Sequence, residues 1–441
     1  MRSTSLVSLS LSISLAAFVL SGCNNSTVTT SPNNPSSPST PSGPSNPGTP
    51  TGSSSNVAYV YVSGWADGNT TSNQTTAYAA ASNGQLTAVP GSPFTLNISK
   101  MAANSSYLVA SPLSGQTINS YTIGSNGALT AGPQFNYAQI ASQIGAQIDG
   151  TCGMSVISFD PSGQSLYSEV ACTDVNTNQH DFVGSFALDS KDGSLNYLGD
   201  AETGPTFNGG FLSIPGNDQF AYQLVGTGCS TFTGGGFYPF SRASSGLLTA
   251  IPAVVNPKNG PPIPAGATSG AGPYGYFPIM VAADNTNHLA VAEAACFFVN
   301  GNSPPLQLAS YTVNADGSIT TTDTYTSMPS TTIDPMVMSI SPSGTVLAVA
   351  GSGGVQLFHF NGASSVTAFT GILTTDYITQ LGWDNSNHLY ALDPFVSGPG
   401  ATSGTGKLHV FNLTDTGATE VTGSPYSIPN GAYLAVSAQP Q

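Results

Sequence analysis

Charge is what this sequence has least of. Lys and Arg together number 6 and Asp and Glu 21 in 441 residues, and charged residues make up 6% of the chain, against ~25% in an ordinary soluble protein. The formal net charge is −15. A chain this poor in cations cannot neutralise a row of phosphates, which excludes nucleic acid as a partner. Ala, Glu, Lys, Leu and Arg do not dominate, which excludes a coiled coil. Cysteine occurs 5 times with no paired C-x-x-C spacing, so no metal site is expected, and nothing calls for a cofactor. What the chain does have is turn formers, with 50 Gly and 32 Pro, and an apolar fraction of 39% that suffices to fill a large core.

The first 22 residues read as a targeting segment. Arg2 is its one charge, and an apolar run follows from Leu6 to Leu20. The run is short and interrupted by Ser, which fits a secretory signal rather than a membrane span. It ends in Leu20-Ser21-Gly22-Cys23, which resembles a bacterial lipoprotein cleavage box. That resemblance implies cleavage before Cys23 and a lipid on its sulfur, so the membrane is an expected partner. Asn24 follows, where an Asp would signal retention at the inner membrane. The expected location is therefore the outer membrane or cell surface. Residues 23–55 form the tether: the lipidated Cys, then seven Pro among mostly Ser, Thr, Asn and Gly, with no charge. Such a stretch buries too little to offset its ordering entropy and reads as a disordered stalk.

From Asn56 to Gln441 the chain is a series of short strands and turns. An aromatic-x-apolar motif followed by a turn recurs seven times. Examples are Tyr121-Thr122-Ile123 with Asn126-Gly127, Tyr311-Thr312-Val313 with Asp316-Gly317, and Phe411-Asn412-Leu413 with Thr416-Gly417. Asn-Gly and Asp-Gly are hairpin signals because both residues tolerate positive φ. A second turn sits earlier in each unit, as in Asp160-Pro161-Ser162-Gly163, Ser341-Pro342-Ser343-Gly344 and Asp384-Asn385-Ser386-Asn387. Each unit thus holds four strands and two hairpin turns, and seven units of about 55 residues fill the domain. The fold class is all-β: a seven-bladed β-propeller of four-stranded antiparallel blades spanning 56–441. The first unit starts without an inner strand, and the chain ends in the orphan strand Ala432-Tyr433-Leu434-Ala435-Val436. That C-terminal strand is expected to close the ring.

Asp-Pro-Ser-Gly-x-x-Leu-Tyr, Asn-Gly-x-Leu-Thr and Gly-Ser-Pro-Phe together resemble the seven-bladed lactonase-like propellers. That family includes 6-phosphogluconolactonase and fungal muconate cycloisomerase. The resemblance covers the whole domain, and its motifs belong to turns and packing, so they speak for fold rather than chemistry.

Ligands of propellers usually sit on the face bearing the long connections. Here those are 135–150, 173–181, 255–275, 297–306 and 392–406. Loop 173–181 carries Asp174, His180 and Asp181, an Asp/Asn/His cluster suited to a hard cation or to acid/base work, although its spacing misses the Ca²⁺ loop pattern. Glu169-Val170-Ala171-Cys172 and Glu293-Ala294-Ala295-Cys296 recur on second strands, and two such Glu would suit acid/base catalysis or binding of sugar hydroxyls. The other reading places both Glu between blades with polar partners. His288 and His388 recur at equivalent short turns and read as structural. Cys152 and Cys172 are equidistant from Ser162, which puts them across a hairpin, and Cys229 and Cys296 end equivalent strands of adjacent blades. Both pairs read as disulfides in an oxidising compartment.

The family's enzymes act on anionic substrates, so cations are expected in their pockets. The mature chain has Lys100, Lys191, Arg242, Lys258 and Lys407, and no Arg remains for the long-loop face. This departure argues against phosphorylated-lactone chemistry. The expectation is a monomeric, lipid-anchored binding or scaffold module with a carbohydrate or protein ligand on its long-loop face. The alternative is a hydrolase of neutral sugar lactones, and the sequence leaves open whether the chain is an enzyme.

Overall fold

The computed structural model describes residues 56–64, 74–96, 98–112, 117–137, 148–174, 179–203, 212–225, 229, 236–251, 260–269, 275–394, 405–429 and 431–440. The signal segment, Cys23 and the stalk lie outside them. Among the described residues every regular element is a strand. Seven antiparallel sheets follow one another. Blade 1 contains Ala58–Gly64, Gln74–Ala80 and Leu86–Ala88, with Gly431–Ala438 as its inner strand. Blade 2 is Lys100–Ala103, Tyr107–Ser111, Thr117–Ile123 and Leu129–Asn136, and blade 3 is Ile148–Phe159, Ser165–Asp174, Gln179–Leu188 and Leu195–Thr203. Blade 4 is Phe220–Val225, Gly236–Arg242 and Leu248–Ala250, its inner position held by the bridge Ser213–Tyr222. Blade 5 is Tyr276–Ala283, His288–Ala295, Leu306–Val313 and Ile319–Thr320. Blade 6 is Pro335–Ile340, Val346–Gly351, Gly354–Asn361 and Ser364–Thr374, and blade 7 is Gln380–Trp383, His388–Asp393, Thr405–Thr414 and Gly417–Glu420.

The expected closure is present. The C-terminal strand pairs with the first strand of the domain in the register Val60–Val436 and Val62–Leu434. Seven separate apolar clusters fill the seven junctions. Tyr61 meets Leu108 between blades 1 and 2, Val109 meets Leu166 between 2 and 3, and Tyr167 meets Phe240 between 3 and 4. Tyr222 and Val291, Ala290 and Leu347, and Ala348 and Leu389 carry the next three. Tyr390 and Val60 join blade 7 to blade 1. Each sheet therefore packs on two neighbours, which requires a closed ring. Burial grades outward. The second strands of blades 1 and 2 are buried along almost their whole length, whereas the outer strand of blade 2 is mostly exposed. This is why the second strands read as unbroken apolar runs.

Two kinds of turn hold the short-turn face. The turn between the first two strands is closed by a side chain: Asp384 Oδ1 accepts from the amides of Ser386 at 2.8 Å and His388 at 3.0 Å. Asp160 and Asp284 do the same in blades 3 and 5. The turn between the third and fourth strands locks onto the preceding blade. Gly127 has φ 80°, and a Cβ there would sit 2.5 Å from the Tyr59 ring. The Gly127 carbonyl accepts from the Tyr61 hydroxyl at 2.9 Å. Gly317 repeats the arrangement against Phe220 and accepts from the Tyr222 hydroxyl at 2.8 Å. A glycine is needed at both positions for backbone conformation and for space.

The loop expected over 173–181 is shorter than that. The second strand of blade 3 runs to Asp174 and the third begins at Gln179, leaving 175–178 outside the described residues.

Candidate functional site

Glu293 lies on the second strand of blade 5, opposite Pro278 and Gln307. It follows Leu289 and Val291 at strand spacing, so its side chain faces blade 4. It is 1% exposed, and the Tyr311 hydroxyl donates to Oε1 at 2.6 Å. Oε2 has no hydrogen-bond partner among the described residues, nor has the nearby Tyr276 hydroxyl. Burial raises its carboxyl from 4.5 to about 7, partly offset by the Tyr311 bond. A group with such a pKa exchanges its proton near neutrality, the property a general acid or base needs. Its burial keeps it from any solute in this conformation. Glu169 is likewise buried, on the second strand of blade 3 opposite Val156 and Val183. The two Glu belong to blades 3 and 5 with blade 4 between them, so the fold does not bring them to one cleft.

Asp181 is buried within the third strand of blade 3, opposite Ala171 and Thr203. His180 stands opposite Cys172, and Asp174 opposite Ile148, in backbone register. The side chains of Asp174 and His180 lie outside the description. Cys172 is disulfide-bonded, and Cys152 is its register partner across the hairpin, as the symmetry about Ser162 requires. Cys229 and Cys296 are bonded with Cα atoms 5.4 Å apart, linking blade 4 to blade 5.

Many of the remaining ionisable groups hold strands and blades together. Arg242 donates to Asp160 at 2.7 Å, to the Tyr167 hydroxyl at 2.7 Å and to Asp218, which clamps blade 4 to blade 3. His388 Nδ1 sits 2.7 Å from Asp384 Oδ2, which also accepts from the Tyr390 hydroxyl at 2.8 Å. Burial pushes the Asp384 carboxyl up, but the His388 side-chain and backbone bonds outweigh it and hold the group below its usual range. His288 pairs with Asp284 at 3.0 Å. The recurrent Asp-Asn-x-Asn-His turns thus carry a structural Asp–His pair.

Sequence reasoning missed one chain of ionisable groups. In the connection between blades 6 and 7, Asp376 accepts from Lys407 at 2.7 Å and lies 3.1 Å from His409 Nε2. The other imidazole nitrogen is 2.8 Å from Glu420. The Lys407 bond holds the Asp376 carboxyl below its usual range. Asp376 precedes Lys407 by 31 residues, and the four residues share no motif.

The long-connection end of the blades carries exposed apolar side chains. Phe297–Phe298 pairs with Thr268–Ser269 in a two-stranded ribbon, so the connections expected at 255–275 and 297–306 are joined. Phe298 is 45% exposed, Ile263 on the same pair of connections 48%, and Met336 at the start of blade 6 is 41% exposed. Lys100 opens the inner strand of blade 2 at this end and lies over the Tyr433 ring.

Solved structures of similar shape share this fold at low identity. A functionally unknown protein from Desulfotomaculum acetoxidans superposes with TM-score 0.53 and 12% identity, covering 87% of this chain and 99% of its own. A candidate 6-phosphogluconolactonase from Bacteroides uniformis gives 0.51 and 12%, covering 86% and 99%. A hypothetical selenium-binding protein from Sulfolobus tokodaii gives 0.51 and 10%, covering 87% and 92%. The fold they share is the seven-bladed β-propeller. No protein-family model matches the chain, and no curated protein does. Neighbours with such different names show that the ring fixes the scaffold and not the chemistry.

Proposed function

We propose that this chain is an extracytoplasmic binding module. It is held at the outer membrane or cell surface by a lipid on Cys23 and displayed, as a monomer, on the 23–55 stalk. It takes a carbohydrate or protein ligand on its long-connection face. The observation that carries this reading is the exposure of Phe298, Ile263 and Met336 at that face. Large exposed apolar side chains are typical anchors of a binding surface, and Phe298 is held there on paired backbone. The employment of Arg242, His288, His388 and His409 within and between blades supports binding over catalysis.

The second reading is a hydrolase of neutral sugar lactones, favoured by the near-neutral pKa of Glu293 and by the scaffold. A thermal-shift screen of the full chain against oligosaccharides and neutral sugar lactones separates the two, because a ligand bound by the folded state alone raises the melting temperature. The binding reading predicts a shift that Phe298→Ser removes, with no turnover. Saturable lactone hydrolysis lost in Glu293→Gln, with the fold intact, overturns it in favour of the enzyme. Hydrolysis of 6-phosphogluconolactone is expected to stay at the spontaneous rate. Labelled-palmitate incorporation that disappears in Cys23→Ala tests the anchor.

A further inference from the structure

At six of the seven junctions a turn glycine with positive φ plugs the short-turn end. Gly127, Gly193, Gly317, Gly362 and Gly84 pack on Tyr59, Tyr107, Phe220, His288 and His388, and Gly246 packs on Ser165, which also binds Arg242. The junction between blades 6 and 7 departs from this in both partners. Val346 stands where the rings of the other blades stand. The blade 7 turn pairs Thr414 directly with Gly417, two residues between them, and a Cβ on Gly417 would meet nothing within 4 Å. The blade 6 turn is equally short, with Asn361 paired to Ser364, yet its Gly362 has φ 61° and reaches His288, whereas Gly417 reaches no neighbour. With Val346 in place of a ring and no glycine plug, a cavity of about 310 Å³ remains at the short-turn end.

The lining is part apolar and part polar. Val346, Leu413 and Phe369 give an apolar floor, and His359 lies against the Phe369 ring with centroids 4.1 Å apart. A series of hydroxyls also lines it, Ser341 to Ser343 at 2.9 Å and Ser343 to Thr345 at 2.8 Å, together with the exposed Asp415. The geometry points to a binding site here for a neutral polyhydroxylated ring, a pyranose. Such a ring has one C–H face for the floor and hydroxyls for the polar lining. Vicinal hydroxyls donate to a carboxylate while the hydroxyls and imidazole of the wall exchange hydrogen bonds with the rest. An anion is disfavoured by Asp415 and by the net charge of −15. The volume is at the low end of ligand pockets and suits one or two sugar rings. This site lies on the face opposite the long connections and stands independently of the function proposed above.

The test is titration of the full chain with glucose, galactose, mannose and N-acetylglucosamine, read by saturation-transfer NMR. At least one sugar is expected to bind with a millimolar Kd. Val346→Phe, which puts back the ring found in other blades, is expected to weaken that binding at least about tenfold. Asp415→Asn, an exposed change that leaves the fold in place, is expected to weaken it several-fold. Binding of none of the four sugars overturns the proposal. So does binding that Val346→Phe and Asp415→Asn both leave intact.

Discussion

The two junctions on either side of blade 7 are made of the same parts and end differently. Between blades 7 and 1, Gly84 at φ 78° lies under the His388 ring, with His388 itself fixed by Asp384. Between blades 6 and 7, Val346 stands where a ring stands at the first junction and Gly417 meets no neighbour, so the end of the junction is open. Blade 1, which borders the first junction, holds the seam where the two ends of the domain meet, through the pairing of Ala58–Gly64 with Gly431–Ala438. The comparison shows that the ring tolerates one open end, and that the opening is local.

The largest effect is expected from breaking the closed seam. Removing Gly431 to Gln441 strips blade 1 of its inner strand and exposes sheet edges. Loss of cooperative unfolding, or aggregation, is expected by calorimetry.

The junction of blades 3 and 4 sharpens the comparison, because charge replaces a ring there. Arg242→Leu leaves the buried Asp160 carboxylate without its guanidinium. A loss of about 3–5 kcal/mol is expected in denaturant unfolding, far more than the same change causes at an exposed Arg.

The junction of blades 4 and 5 is closed at its turn yet carries a buried acid. Glu293 has a folded pKa of about 7 against an ordinary 4.5, so the folded state holds the proton more tightly than the unfolded one. Its contribution is therefore complete below pH 4.5 and is lost as pH rises through 7. The parent is expected to lose about 3 kcal/mol over that interval relative to Glu293→Gln. Parallel pH profiles of the two proteins would contradict this.

The smallest effect concerns the open junction. Val346→Phe fills space, and a gain of about 0.5–2 kcal/mol is expected in unfolding free energy.

The ring was legible because its signals are local. Asn-Gly and Asp-Gly turns, the Asp160 and Asp384 turns, and the orphan strand 432–436 all act within a few residues, and the structure places each where its turn chemistry requires. The Cys229–Cys296 bond was legible from strand position. The open junction was not, because it arises from a side chain at 346 and the path of the turn at 414–417, which meet in space alone. Asp376, Lys407, His409 and Glu420 escaped for the same reason. Glu293 was read as either a site residue or an inter-blade residue. Sequence did not decide between them, because strand alternation gives a face and not its accessibility.

Paired unfolding measurements on Gly84→Ala and Gly417→Ala test the central claim most directly. At Gly84 a Cβ would lie 2.9 Å from the His388 ring and 2.8 Å from Val421, on a left-handed backbone. At Gly417 it would meet open space. The account predicts a loss of about 2–5 kcal/mol for Gly84→Ala and a change within about 0.5 kcal/mol for Gly417→Ala. Equal losses at the two sites would contradict it, because they would mean that the blade 7 turn is locked like the others and that the junction is closed.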